Sequence, residues 1–226
     1  MFRSEKELVS TITLSANFLV HLIPDDLQNT AGSLSILQEA NLGHGVPDLI
    51  LAKYDSSTGI LCRSQRLNYK DLAVYTIIGK QEAGIDFETL KDKTKLSNSG
   101  LRKILTTLET EGMIVDNEGD YTITSDSDNL GVEVVAIEAK LKNWKRALKQ
   151  AYRYKWFASY SYVFLDEQFI QPAVKNKSLF KSYNVGLASV NRDGVIDVKL
   201  RPQRVKPYDD AMHFLVREHL LFGTKE

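Results

Sequence analysis

The apolar residues fall into short runs divided by polar punctuation. Leu49-Ile-Leu-Ala52, four in a row, reads as a strand buried on both faces, preceded by the turn cluster Gly43–Pro47 and by Asp48. Val132–Lys140 is β-branched and reads as a second strand. Tyr160–Leu165 reads as a third, and Leu34–Ala40 as a shorter one. Ser56–Gly59 forms a turn after which 60–63 pairs back, and 185–190 with 195–200 makes a closing hairpin around Asn191-Arg-Asp-Gly194. Helical spacing over 5–22, stopping before Pro24, predicts a helix. Others are predicted over 144–158, 176–183 and 208–222.

The texture changes near Asn68. Helices are predicted over 69–79 and 86–95, the second capped by Asp86. A third starts at Ser97 and carries Leu101, Ile104, Leu105 and Leu108 on one face. Gly112 stops it. Met113–Val115 and Tyr121–Thr124 then form a hairpin around the polar loop 116–120, and 125–131 reads as a linker. Three helices and a hairpin, with the run from Leu96 to Ile114, resemble a winged helix-turn-helix. The expected organisation is an α/β domain made of 1–67 and 127–226, interrupted by a winged-helix module at 68–126.

Composition narrows the class. The 226 residues hold 29 Lys+Arg against 29 Asp+Glu, which excludes a general polycation but not segregated charge. Apolar residues are 43%, enough for one large or two small cores. The single cysteine, Cys62, excludes an intrachain disulfide and a multi-cysteine zinc site, and fits a reducing compartment. The charged start is a poor signal peptide and no run reaches a membrane span, so a cytoplasmic protein with no membrane partner is expected.

The chemistry gathers on two strands. Period-two alternation puts Glu138 and Lys140 on one face of an apolar strand, where an unpaired charge is costly. A divalent cation gives them a purpose. Asp48 and Glu138 supply hard oxygen ligands suited to Mg²⁺, or Mn²⁺, with Lys140 beside them to orient or activate a nucleophile. The plain alternatives are an Asp capping a turn after Pro47 and a Glu138–Lys140 ion pair on a half-exposed strand, worth about 0–1 kcal/mol if exposed.

Gly45-Val-Pro47-Asp48 with Glu138-Ala-Lys140, followed by Gln150-Ala-Tyr-Arg-Tyr154, resembles the PD-(D/E)XK nuclease superfamily and its restriction-endonuclease-like fold, a mixed sheet flanked by helices. The resemblance covers about 35–66 and 130–200. It implies a metal-dependent nuclease, most simply a deoxyribonuclease, with Asp48, Glu138, Lys140, Gln150 and Tyr154 in the catalytic centre. It also implies an additional upstream acid on the metal. Glu39 is a candidate for that acid, although the usual place is the first helix, where Glu5 and Glu7 compete. The pattern departs in its gap of about ninety residues between the two motifs, which the 68–126 module fills. Double-strand cutting in this superfamily often goes with a homodimer.

Residues 140–155 carry seven bases and no acid. Lys142, Lys145, Arg146, Lys149 and Arg153 are therefore candidate phosphate contacts beside the site, with Trp144, Tyr152, Tyr154 and Trp156 interleaved. In the module, Asn98, Arg102 and Lys103 begin the third helix and could face a groove. The module itself holds 7 bases and 11 acids, leaving 22 against 18 elsewhere. Its negative charge argues against a transcription regulator built on the winged helix alone. A nuclease fold retained as a non-cleaving DNA-binding or assembly subunit stays open beside the enzyme.

Overall fold

The computed structural model describes residues 1–22, 32–43, 45–55, 63–124 and 132–223. His44, Cys62, the 56–59 turn, residues 60–62 of the expected hairpin and the 125–131 linker lie outside them. The chain is a mixed α/β structure built on a six-stranded mixed sheet: β1 (Gly32–Gln38), β2 (Leu49–Asp55), β6 (Val132–Lys140), β7 (Tyr160–Asp166), β8 (Gly186–Val190) and β9 (Ile196–Leu200), in that spatial order. The pairs β1–β2, β2–β6 and β8–β9 are antiparallel, while β6–β7 and β7–β8 are parallel. Each parallel pair needs a helical crossover: α6 (Trp144–Arg153) for the first, α7 (Gln171–Val174) and α8 (Lys177–Ser182) for the second.

Alternation along β2 and β6 explains the layering. Ile50, Ala52, Val134 and Ala136 point to a core shared with Trp144, Ala147, Leu148 and Ala151 of α6, and with Met212 and Val216 of the C-terminal helix, α9 (Asp210–Phe222). Leu49, Leu51, Val135, Ile137 and Ala139 point the other way, onto Leu8 and Ile12 of the first helix, α1 (Glu5–Leu14). The four-residue apolar run thus feeds both faces, as its lack of alternation predicts.

The helix expected over 5–22 is broken. α1 ends at Leu14, Ser15 caps it, and a short α2 (Ala16–Leu19) passes into a 3₁₀ turn. The helix expected to reach 158 stops at Arg153 and tightens into a 3₁₀ turn, Tyr154–Trp156. β1 ends at Gln38 rather than Ala40, because Glu39 adopts a left-handed φ of 49°.

Between β2 and β6 the chain builds α3 (Tyr69–Ile78), β3 (Ile85–Asp86), α4 (Phe87–Thr94), α5 (Asn98–Thr110), β4 (Ile114–Asn117) and β5 (Asp120–Ile123). The two-residue β3, too short to leave a sequence pattern, adds to β5 so that the small sheet runs β3-β5-β4. The expected caps are in place: Asp86 accepts from Thr89 N at 3.0 Å and Ser97 from Gly100 N at 3.2 Å. Leu101, Ile104, Leu105 and Leu108 line this module's own core with Leu72, Ile78, Leu90 and Met113.

α9 joins the two cores. Ala211 belongs to the module's cluster and Met212 and Val216 to that of the sheet. Its Glu218 is buried, ion-pairs with Arg63 and accepts from Leu67 N at 2.9 Å. No helix among the described residues is long and apolar enough to cross a membrane.

Leu101→Ala removes a fully buried side chain from the module core and should cost about 2–5 kcal/mol in urea unfolding. Because α9 packs in both cores, the loss should appear as one shifted transition seen by all probes. Two separated transitions would show that the module unfolds independently.

Candidate active site

Asp48 stands at the start of β2 and Glu138 near the end of β6. The register pairs Leu49 with Ile137, so one step further Asp48 lies opposite Glu138. Asp48 Oδ2 accepts from Ala139 N at 2.7 Å, which fixes the carboxylate across the strand pair. Lys140 Nζ lies 2.8 Å from Glu138 Oε1, 3.5 Å from Asp48 Oδ2 and 3.3 Å from Glu5 Oε2. It also donates to Ala139 O at 3.1 Å. Three acids from three elements thus meet one ammonium.

The helix expected from the Gln-x-x-x-Tyr spacing supplies the fourth side. Tyr154 is fully buried, and its hydroxyl donates to Glu138 Oε2 while lying 3.2 Å from Val46 O. Its partner is thus the carboxylate, not the lysine. The preceding loop is shaped for this ring: Gly45 has a φ of 134°, and a Cβ there would sit 3.1 Å from Tyr154 Cε1. Only glycine meets both demands without strain. Gln150 lies one turn before Tyr154 on α6. Its Oε1 is buried with no hydrogen-bond partner, and no bond joins it to the cluster.

Glu39 does not join the cluster. It is exposed and lines a separate groove of about 520 Å³ with Asn41, Arg66, Tyr69 and His219. The upstream acid that reaches Lys140 is Glu5, in the first turn of α1. Its place follows from an anchor with no sequence signature: buried Asp166, at the end of β7, accepts from Phe2 N at 2.9 Å and so pins the start of the chain beside the site.

Burial dominates the electrostatics. It raises the Asp48 carboxyl above its ordinary 3.8, against the lowering effect of Ala139 N–H and Lys140. It raises Glu138 above 4.5, against the adjacent Lys140 ammonium and the hydrogen bond from Tyr154, and the nearby charge of Asp48 adds to the rise. For Lys140, burial alone would lower the pKa, but Glu138, Asp48 and Glu5 outweigh it and hold the ammonium above 10.5. Burial, then the charge of Glu138, drives the Tyr154 phenol far upward, so it stays a proton donor.

With all three acids ionised, the cluster carries one positive charge against three negative. Glu138 Oε1 is buried and, though in ion-pair contact with Lys140, accepts no aligned hydrogen bond. Mg²⁺ asks for one or two carboxylates and keeps several waters, so Asp48 and Glu138 fit it as a donor set. Among the described residues no three His, Cys, Asp or Glu side chains are grouped to hold a metal: the acids converge on the lysine nitrogen instead.

The candidate phosphate contacts divide. Lys142, Lys145, Arg146, Lys149 and Arg153 are exposed on or just before α6, with Lys142 4.5 Å from the centroid of the Phe169 ring. Lys155, counted with them in the basic run, is buried and donates to Tyr183 O, so it belongs to the packing. In the module, Asn98 and Lys103 are exposed, and Arg102 lies 4.5 Å over the Phe87 ring. No protein-family model, curated protein or solved structure matches this chain.

The raised Glu138 pKa has a definite sign. The favourable state is the protonated one, so its stabilisation is complete below about pH 4.5 and is lost as the pH rises through the folded-state value. In EDTA, Glu138→Gln should therefore melt higher than the parent at pH 7, and the difference should vanish below about pH 4.5. A lower melting temperature at pH 7 would show that Lys140 and Tyr154 outweigh burial.

Proposed function

We propose that this chain is a divalent-metal-dependent phosphodiesterase of the PD-(D/E)XK type that hydrolyses nucleic acid, DNA in the first instance. The observation that carries it is the meeting of Asp48 and Glu138 at one lysine ammonium on the ends of two paired strands, with Tyr154 behind Glu138. The six-stranded mixed sheet flanked by helices, with this cluster on its β2–β6 pair, supports the restriction-endonuclease-like reading. The α3-β3-α4-α5-β4-β5 order, with its three-stranded antiparallel sheet, supports reading 68–126 as a winged helix.

Asp48 and Glu138 would hold the cation, Mg²⁺ or Mn²⁺. When bound, it would supply positive charge to the scissile phosphate and acidify the attacking water. Asp48 is set for this by the Ala139 N–H, and Glu138 by the Tyr154 hydroxyl. Lys140, kept protonated by its acidic neighbours, contributes charge and a donor toward the phosphate or the nucleophile rather than a free base. Glu5, half-exposed at the mouth, is the third acid available to the cation or to an incoming proton. The cations of α6 would take the phosphates on either side.

A second reading has its own observation. Lys140 occupies the place between the carboxylates, and no three-acid metal group is present among the described residues. A site locked in that arrangement would suit a non-cleaving DNA-binding subunit.

The test is nicking or degradation of plasmid and oligonucleotide DNA with Mg²⁺ or Mn²⁺. Asp48→Asn, Glu138→Gln and Lys140→Met should each lose activity by about 10²–10³-fold. Mg²⁺ should raise the melting temperature of the parent, corresponding to about 2.7 kcal/mol at a hundredfold excess over Kd, and should leave Asp48→Asn and Glu138→Gln unmoved. No calorimetric binding at millimolar Mg²⁺ and no cleavage of single- or double-stranded DNA or RNA would favour the non-cleaving subunit.

A further inference from the structure

α6 turns a second feature to solvent, on the flank that meets α8. A groove of about 550 Å³ runs between them, walled by Trp144, Leu148, Tyr152, Leu179 and Tyr183. Lys145, Lys149 and Arg153 stand along it, and neither helix contains a single acid. The aromatic surface continues past the groove. Tyr152 and Tyr183 meet edge to face at 5.2 Å, and Trp156 meets Tyr208 in the same way at 6.1 Å. The two pairs are joined through the backbone, where Tyr208 N donates to Lys155 O at 3.0 Å. Tyr152, Tyr183, Trp156 and Tyr208 are 40%, 41%, 37% and 56% exposed, well beyond what isolated surface aromatics need.

These rings are braced rather than loose. The buried Lys155 ammonium donates to Tyr183 O and lies 5.1 Å from the centroid of the Tyr152 ring, while Lys155 O accepts from Tyr208 N at 3.0 Å. One buried lysine therefore contacts the Tyr152 ring and holds the backbone at Tyr183 and Tyr208.

We propose that this groove binds single-stranded DNA, its bases stacked on the Tyr152 and Tyr183 rings and its phosphates on Lys145, Lys149 and Arg153. The assignment deepens the nuclease reading and rests on it for the class of ligand. Cations alone would serve a duplex equally well. Partly exposed aromatic rings beside them suit unpaired bases, because in a duplex the base faces are already stacked. No carboxylate or side-chain amide lines the groove, which leaves only the Tyr152 and Tyr183 hydroxyls to meet a 2′-hydroxyl, and the choice of DNA rests on the nuclease reading. An acidic peptide could also answer the charge, but its carboxylates make no use of the aromatic rings set beside the cations.

Fluorescence anisotropy in EDTA, which separates binding from cleavage, tests the assignment with a labelled dT20 strand, a 20-base-pair duplex and an rU20 strand. Tyr152→Ala with Tyr183→Ala should lower the ratio of dT20 to duplex affinity at least tenfold. Tyr152→Leu, which keeps bulk without a ring face, should lower it in the same direction if the double variant does not fold. Lys149→Ala should weaken both DNA ligands and reduce the salt dependence. Tryptophan emission, which comes from Trp144 and Trp156 alone, should be quenched by dT20. An unchanged ratio in folded tyrosine variants would overturn the groove while leaving cleavage intact as a separate result. Tighter binding of rU20 than dT20 would overturn the DNA assignment, as would ring-dependent binding of a glutamate–tyrosine copolymer in place of dT20. If neither DNA ligand binds the parent protein and neither is cut with Mg²⁺, the nuclease reading falls and takes the groove with it.

Discussion

The antiparallel pairing of β2 with β6 is the constraint on which the site depends. Its register sets Asp48 across from Glu138 and gives Ala139 N–H to the Asp48 carboxylate. A slip of one residue would turn Glu138 and Lys140 to the face occupied by α1 and bring Ala139 to the face of Tyr154. Such a slip is opposed all along the pair, since Ile50, Ala52, Val134 and Ala136 fill one core while Leu49, Leu51, Val135 and Ile137 fill the other. The chemistry of three polar side chains is thus held in place by eight apolar ones.

That packing also creates the electrostatic tension of the cluster. The fold carries Glu138 to 1% exposure, where an ionised carboxylate is expensive. It offsets the cost with one ammonium and one phenol, which is not enough to bring the pKa back to its ordinary value. Asp48 has the same imbalance. Removing Lys140 should therefore be structurally costly, because among the described residues it is the one countercharge in contact with two partly or fully buried acids. A divalent cation would relieve the same tension more completely. Surplus negative charge at the end of a strand pair is thus a physical reason to expect cation affinity, independent of any motif.

Much of this was legible in the amino-acid order, for identifiable reasons. Strands buried on both faces announce themselves as unbroken apolar runs, and β2 and β6 do so. Caps at Asp86 and Ser97 are local, so the module's helices were readable too. Contacts set by distant segments were not. Asp166 holding Phe2 N spans 164 residues, and that anchor, with Leu8 and Ile12 packed on the sheet, sets Glu5 rather than Glu39 beside the lysine. Lys155 looks like one more base in a run of seven, yet the 3₁₀ turn that ends α6 rotates it inward. The break of the first helix at Ser15 was likewise hidden, since Ser15 Oγ donates to Gly194 O on the far hairpin.

α6 explains how zero net charge can accompany a concentrated basic surface. Trp144, Ala147, Leu148 and Ala151 occupy the buried stripe at helical spacing, with Trp144 and Leu148 at its groove edge. The remaining positions are left to Lys145, Arg146, Lys149 and Arg153, with Tyr152 at the groove edge. The same geometry ends the helix with Tyr154 turned inward to Glu138, one residue after Arg153 faces outward. A single amphipathic helix therefore connects the buried carboxylate to the exposed cations. The compensating surplus of acid, 11 acids against 7 bases, sits in the 68–126 module, which has its own core. Segregation of charge between the two cores, rather than its total, is the physical property that makes a phosphate-bearing ligand plausible on one side of this molecule and unfavourable on the other.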